Sequence, residues 1–456
     1  MIYMNVTLII LFIYFVLMLL LAWYFSRKES LESYFINRRK TSLWMMTFST
    51  ISTIVGAAAT IAVVSEVYNS GISYGLALIL AFSIGIIILG LVAARMKMIG
   101  DKYSAYSIAD IFYRKFDKKN KNLVSILQLF VLIGWIATNI AGLAAISSIV
   151  LGVNYSLAIG LAILITILYS AIGGLKLDII TDFIQFWIIL IPFVIMAVIG
   201  YYEVGGLSNL ISQLPAGHLN PLAFGGIAWF LGTIILSGFV YLGTAYHWQR
   251  TLSAKDEITA RKSYFVSVPI LFFMGIIIVF FGLLASVLLK DIPQDFAIFS
   301  LMSHLLPESL AGVGFAAILA AIMSSVDSSL VAGSTIIYRA IFKDDSSNEK
   351  RKILTARIIT ALFGILAGLL VLAIPSIVSL SLLVSYMALI FVPAIFAVLY
   401  SERISSNASF YSILTGFLLL MILFPILGKN AFIIPVLVST IIILFYDRVF
   451  KNRSTL

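Results

Sequence analysis

The sequence predicts an all-α integral membrane protein of about thirteen transmembrane helices, and three observations predict it. Hydrophobic residues make up 62% of the 456 and charged residues 11%, against roughly 45–50% and about 25% in a water-soluble domain. The apolar residues gather into runs of about 20, the length a helix needs to cross the hydrocarbon core. The basic residues fall between alternate runs. Such a chain needs lipid as part of its solvent, which excludes a soluble fold. There is no cysteine, so disulfides and thiolate metal sites are excluded too. The histidines at 218, 247 and 304 are too widely spaced for a metal motif and read as interfacial residues.

The runs lie near residues 5–25, 43–67, 72–94, 123–150, 155–174, 179–201, 225–247, 264–289, 309–341, 354–374, 377–400, 407–427 and 431–447. The first is too long for a signal-peptide core and lacks a cleavage site, so it reads as a helix. The second is weakened at its middle by the hydroxyl-rich run Ser49-Thr50-Ile51-Ser52-Thr53-Ile54-Val55-Gly56. The seventh is weakened by Ser237-Gly238 and Gly243-Thr244. Irregular backbone at membrane depth is tolerated only where it faces protein or a wet cavity. Two readings fit: close helix packing through small residues, or a pair of broken helices whose freed backbone binds ion and solute. The two segments lie five runs apart, as the first helices of a five-plus-five inverted repeat would.

No soluble domain is read anywhere. The hydrophilic stretches are Arg95–Asn122, Glu203–Gly225, with Gly205, Gly206, Pro215 and Pro221 as turn residues, and Lys343–Lys352. Asp117–Lys121 reads as a solvated loop near anionic headgroups. With the N-terminus outside, all but Lys290 and Lys429 of the 30 basic residues fall on the inner side. The positive-inside rule then sets the N-terminus out and the C-terminus cytoplasmic, with an odd number of spans. The same placement argues for a lipid bilayer, and against nucleic acid, as the partner of the net charge of +10.

The ninth run holds the most specific stretch, from Ala316 to Ser329. On a helix, Ala321 lies one turn before Ser324 and Ser325, so its carbonyl and the two hydroxyls can meet at one spot. A hard monovalent cation asks for oxygen ligands of this neutral kind. The bland alternative is back-bonding of each serine to the preceding turn. Asp327, within the same run, is costly in a membrane and is a functional candidate by default. Asp182 sits near the inner end of the sixth run, where a helix N-terminus alone would stabilise it.

Four ordered motifs on the right membrane side resemble the sodium:solute symporter family over about residues 31–402. These are Ser33-Tyr34-Phe35-Ile36-Asn37-Arg38-Arg39; Tyr169-Ser170-Ala171-Ile172-Gly173-Gly174 with Thr181-Asp182-Phe183-Ile184-Gln185; Gln249-Arg250 with Ala254-Lys255 and Ala260-Arg261; and the Ala320–Ser328 stretch. The resemblance implies a LeuT-type five-plus-five inverted repeat with one extra N-terminal and two extra C-terminal helices. The chain then divides into 1–40 (extra helix and inner loop), 41–201 (first repeat), 202–224 (outer loop), 225–400 (second repeat) and 401–456 (two C-terminal helices and tail). It also implies a multi-pass protein of the plasma membrane, with sodium as the coupling ion and no other cofactor.

By the same resemblance, sodium would be held by the carbonyls of Ser52, Val55 and Ala321 and the hydroxyls of Ser324 and Ser325. Asp182 matches an aspartate on the ion's exit path, and Asp182, Ser324, Asp327 and Ser328 occupy the positions of a second sodium found in some members. Ile54 stands where proline carriers have an acidic residue, Gly243-Thr244-Ala245 where they have Gly-Gln-Pro, and Ala58 and Ala59 where sugar carriers place polar side chains. A buried unmatched hydroxyl costs roughly 1–3 kcal/mol, so a small, mostly apolar solute such as an amino acid or short monocarboxylate is expected rather than a sugar. No arginine is read inside a span, so helix-end amides would hold its carboxylate. Thr53, Gly56, Trp135, Asn139, Tyr241 and Thr244 are the candidate cavity residues; packing explains Trp135 and Tyr241 equally well. Two further readings stay open: proton coupling through Asp327 or Asp182, and a solute sensor that transports nothing. No nucleophile–base or metal constellation suggests an enzyme, and the sequence carries no signal for oligomeric state.

Overall fold

Helices make up nearly the whole computed structural model, which describes residues 2–27, 30–342, 348–373 and 377–450. In a bilayer each backbone amide and carbonyl must be satisfied within the protein, and a helix does this locally. No strand occurs among the described residues, apart from an isolated bridge between Thr41 and Ala254. Lys28, Lys343, Lys451 and Arg453, which belong to the charge pattern above, lie outside the described residues. So do the first part of the Lys343–Lys352 loop and the end of the tenth run.

The apolar runs fall on α1 (Ile2–Ser26), α2 (Leu43–Ile54), α3 (Ile61–Ser70), α4 (Ile72–Lys102), α5 (Lys118–Leu151), α6 (Tyr155–Ser170) and α7 (Leu175–Glu203). They continue on α8 (Gly226–Leu236), α9 (Ala245–Ser253), α10 (Glu257–Leu288), α11 (Glu308–Ile341), α12 (Glu349–Ala373), α13 (Ile377–Leu389), α14 (Val392–Tyr400), α15 (Ser406–Leu427) and α16 (Ile433–Phe450). By length and composition nine described helical spans can cross a membrane, or ten when the bent pair formed by α8 and α9 is counted as one. The count of thirteen is not reached on that measure: the second run divides into α2 and α3, and α6 is short.

Burial ranks the helices. The apolar window of α11 is 89% buried, whereas those of α1 and of the α15 span are 17% and 22% buried. The central helix therefore packs on α1, α2, α5 and α7, and the peripheral ones face outward. Phe12, Leu91, Ile358 and Ile426 are more than half exposed; an apolar perimeter of this extent is the surface that lipid covers.

One connection differs from the sequence reading, for a local reason, and another has a geometry of its own. Arg95–Asn122 is mostly helical: α4 continues to Lys102, a short helix Ile108–Lys115 starts from a Ser107–Asp110 capping box, and α5 begins at Lys118. Asp117 is the N-cap of α5 and accepts a hydrogen bond from the Asn120 amide at 2.8 Å. Asp117–Lys121 is thus a capped first turn and not a loop, because a cap satisfies amides that water would otherwise have to. Asp256 caps α10 in the same way, and the Thr259 amide at 2.6 Å holds its carboxyl below the usual range.

The second feature is the turn between α3 and α4. Gly71 adopts φ +78°, and the His218 backbone lies where a side chain would go. The Ile72 amide donates to the His218 carbonyl at 2.7 Å, and Ser73 Oγ donates to the Pro221 carbonyl at 2.7 Å. Only a glycine accepts both the positive φ and the close approach.

Candidate functional site

The hydroxyl-rich second run does break. α2 ends at Ile54, Val55 leaves helical geometry (φ −80°, ψ 43°), and α3 begins at Ile61. Gly56 sits at the break against α11, where a Cβ would strike the Ser325 side chain and lie 2.8 Å from Asn139 Oδ1. Such proximity brings the two helices' oxygens together. Ser324 Oγ donates to the Ser52 carbonyl at 2.8 Å and the Ala321 carbonyl at 2.9 Å. Ser325 Oγ donates to the Thr53 carbonyl at 2.7 Å and the Ala321 carbonyl at 3.2 Å. Back-bonding explains only the bonds to Ala321; the bonds to α2 cross between helices. Ser52, Ala321, Ser324 and Ser325 are therefore one cluster, and the Thr53 carbonyl, missed in the sequence, belongs to it. Val55, whose carbonyl the resemblance implied, makes no hydrogen bond to either serine.

Two carboxamides of α5 hold the breaks in α2–α3 and α8–α9. Asn139 Oδ1 accepts from the Ala57 amide at 2.9 Å. Gln128 Nε2 donates to the Gly243 carbonyl at 2.7 Å, and its Oε1 accepts from the Ala245 amide at 3.1 Å. Both side chains are buried, so each supplies what the interrupted helix lacks and no water can. Gln128 was missed, although a lone amide eleven residues from Asn139 is three turns away on the same face of an apolar helix.

Beside the oxygen cluster lies a cavity lined by Thr53, Gly56, Trp135, Asn139, Tyr241 and Ser325, among others. Thr244 is not among its lining residues; its Oγ1 bonds back to the Val240 carbonyl at 2.8 Å. Tyr74, at the start of α4, and Ser381, Ser385 and Tyr386 of α13 also line it, so it extends away from the face that carries most basic residues. Among the described residues no acidic, basic or histidine side chain lines it, and aromatic rings do. Trp135 Nε1 and Tyr241 Oη have no hydrogen-bond partner among the described residues. Thr233, Ser329, Ser381 and Ser385 bring hydroxyls from other helices, so the scarcity of polar groups expected from Ala58 and Ala59 holds for the break and not for the whole cavity.

Toward the basic face the site is closed. Arg250, read in the sequence as part of a loop, is fully buried on α9; an arginine does lie among the spans. Its Nη2 donates to Asp182 Oδ2 at 3.0 Å, Asp178 Oδ2 at 3.2 Å and Ser328 Oγ at 2.7 Å. Ser49 and Thr53 donate to the same Asp182 oxygen at 2.7 and 3.2 Å. A buried guanidinium is stable only with such partners. Asp178 was also missed, although it lies one turn before Asp182 and therefore shares its face of the helix. Asp327 points elsewhere, accepting a hydrogen bond from Ser170. His247, expected at an interface, is fully buried between Tyr241 and Tyr246, at ring distances of 4.8 and 4.5 Å. Below this network Gln249 Nε2 donates to the Phe35 carbonyl at 2.6 Å and to Thr335 Oγ1 at 2.8 Å. The Thr41 amide donates to the Ser253 carbonyl at 3.0 Å. The sequence motifs at 33–39, 169–185 and 249–261 thus converge at one end of the bundle.

Comparison with known proteins follows the same lines. The model of the sodium:solute symporter family matches residues 34–416. The sodium/pantothenate symporter of Haemophilus influenzae is 24% identical over 76% of this chain and 74% of its own length. The osmoregulated proline transporter OpuE of Bacillus subtilis is 25% identical over 78% and 76%. High-affinity choline transporter 1 of Torpedo marmorata is 26% identical over 85% and 70%. Among solved structures, the substrate-bound outward-open state of a sodium-coupled sialic acid symporter superposes with a TM-score of 0.84 over 98% of both chains at 19% identity. That likeness is one of fold, the LeuT-type arrangement.

Proposed function

The chain belongs to the sodium:solute symporter family, and from that premise we propose that it imports a small organic solute together with sodium by alternating access. The observation that carries the reading is the meeting of the Ser52 and Ala321 carbonyls with the Ser324 and Ser325 hydroxyls at the helix break, next to a cavity. Sodium among these oxygens takes both hydroxyls as lone-pair donors, which turns their hydrogens away from the carbonyls. The Thr53 carbonyl is within reach of the set, and the Val55 carbonyl, the other ligand the resemblance implies, completes it. The ion then ties α2 to α11 and fixes the solute's wall at Gly56.

The solute is a small amino acid such as proline, or a short monocarboxylate. The aromatic lining suits an apolar body, Trp135 Nε1 and Tyr241 Oη are unmatched donors for a carboxylate, and the sodium beside Ser325 supplies the counter-charge that no side chain of the cavity offers. In this reading the N-terminus is outside, the C-terminus cytoplasmic, and thirteen spans cross the plasma membrane, with 41–201 and 225–400 as the inverted repeats. Residues 1–40, 202–224 and 401–456 flank them. The cavity then opens outward, the Arg250 network is the closed inner gate, and sodium leaves past Asp182 when that gate parts.

Thermal stabilisation of the purified protein tests the reading. Proline, other amino acids, short monocarboxylates and sugars are each screened in sodium and in potassium. The expected result is a carboxylate-bearing solute that raises the melting temperature in sodium alone. Stabilisation by a sugar, or equal stabilisation in both salts, would count against it.

A further inference from the structure

We propose that a recess at the basic end of the bundle, between α4 and the end of α14, binds the headgroup of an anionic phospholipid. The recess shares no residue with the cavity, and the inference is independent of solute and coupling ion. Its volume is about 250 Å³, against the 10–15 Å³ or so that one water needs, so it admits a headgroup. Three basic side chains line it: Arg95 and Lys102 of α4, and Lys115 at the end of the short helix Ile108–Lys115. One carboxylate, Glu402, faces them; it lies 3.6 Å from Lys115 and is 97% exposed. So exposed an ion pair contributes little, and Glu402 can turn to water at small cost when a phosphate arrives. Asp101, beside Lys102 in the chain, is matched by Arg39 and Lys97 at 2.8 and 2.9 Å. Three positive charges thus meet one loosely held negative charge.

Arg95 is held ready for an anion. Its Nε donates to the Leu399 carbonyl, one of those that the end of α14 leaves unpaired, and its Cζ lies 4.6 Å from the centre of the Tyr400 ring. Among the described residues its two terminal nitrogens make no hydrogen bond, so that edge of the guanidinium fork is left for a phosphate. The recess also opens on lipid. Positions 87, 91, 95, 98 and 102 follow one face of α4, and on it Ile87, Leu91 and Met98 are 37, 60 and 46% exposed. An apolar track therefore runs from Arg95 toward the middle of the membrane. A phosphate ester anchored at Arg95 lays its acyl chain on Leu91 and Ile87, whereas free phosphate would use the charges and leave the track bare. Tyr400, half exposed, suits the interfacial level at which headgroups lie.

Native mass spectrometry of the purified full-length chain tests the site, from neutral detergent micelles carrying phosphatidylglycerol and phosphatidylcholine in equal amounts. Wild type is expected to retain one phosphatidylglycerol in preference to phosphatidylcholine. Each basic residue near a charged lipid contributes about 5-fold, so Lys102→Gln with Lys115→Gln is expected to weaken that binding about 30-fold. Either single substitution, with its loss of about 5-fold, serves where the pair does not elute as wild type does. Lys118→Gln with Lys119→Gln removes the same charge from exposed positions of α5 outside the recess and is expected to change nothing. Equal retention of the two lipids by wild type would overturn the inference. So would unchanged binding in the recess variants, or an equal loss in the α5 pair. Inorganic phosphate separates the two sources of the anion: the acyl chain predicts that millimolar phosphate leaves the lipid bound, and its expulsion would make the recess a free-phosphate site instead.

Discussion

Ser325→Ala is expected to raise the sodium concentration for half-maximal solute uptake by about 10-fold or more. The Ser325 hydroxyl bridges α11 to the broken helix through the Thr53 carbonyl, and its deletion removes one of the proposed sodium ligands. Losing one partner of a buried polar pair costs roughly 1–3 kcal/mol, which at 1.4 kcal/mol per decade spans about 5- to 140-fold in affinity. Ser334→Ala is the matched control. That hydroxyl is equally buried on α11 but bonds only back to the Val331 carbonyl at 3.0 Å. Uptake at several sodium concentrations separates the two: a wild-type sodium dependence in Ser325→Ala, or an equal loss in Ser334→Ala, would remove the assignment.

Arg250→Ala is expected to have the largest effect on stability. Breaking a buried ion pair by removing one partner typically costs about 3–5 kcal/mol, because the remaining charge is left uncompensated. Here two carboxylates and the Ser328 hydroxyl lose their shared donor. The combination with Asp178→Asn is expected to restore part of the loss, since one fewer charge is stranded. The half-life of the monodisperse protein in detergent on heating, followed by size-exclusion chromatography, reads both variants. A half-life equal to wild type in Arg250→Ala would show that the guanidinium is not holding the gate.

Much of the architecture was legible in the sequence because lipid imposes strict rules. Apolar runs mark helices, and Gly56 among hydroxyls marks the break. The Ala321–Ser325 oxygens follow from helical spacing alone; of their partners in α2, Ser52 followed from the family resemblance and Thr53 did not. The charged network was less legible. Arg250 stands five residues before Lys255 and close to Arg261, so it reads as one more basic loop residue; what buries it is the return of α9 under the bundle, a tertiary event. Asp178 sits in the first turn of α7, where a carboxylate looks like a dipole partner. Thr244 shows the opposite failure: a residue can occupy the expected register while its hydroxyl bonds back to the preceding turn, here to the Val240 carbonyl. The cavity's extra hydroxyls come from α8, α11 and α13, which no local pattern brings together.

These features fit one mechanism. In the proposed mechanism the oxygen cluster at the break would hold sodium, the carboxamides of α5 would keep both breaks open, and the Arg250 network would keep the basic end shut until the bundle moves. Each part is made of groups whose burial would be unfavourable without the others, which is why small changes at the break are expected to reach the gate.

The central claim is that sodium drives uptake. The most direct measurement is uptake of the solute found by thermal stabilisation into liposomes carrying the purified protein. With an inward sodium gradient the solute is predicted to accumulate above its external concentration, and to fall to equilibrium when potassium replaces sodium. Accumulation that persists without sodium and follows an imposed pH gradient would contradict the account.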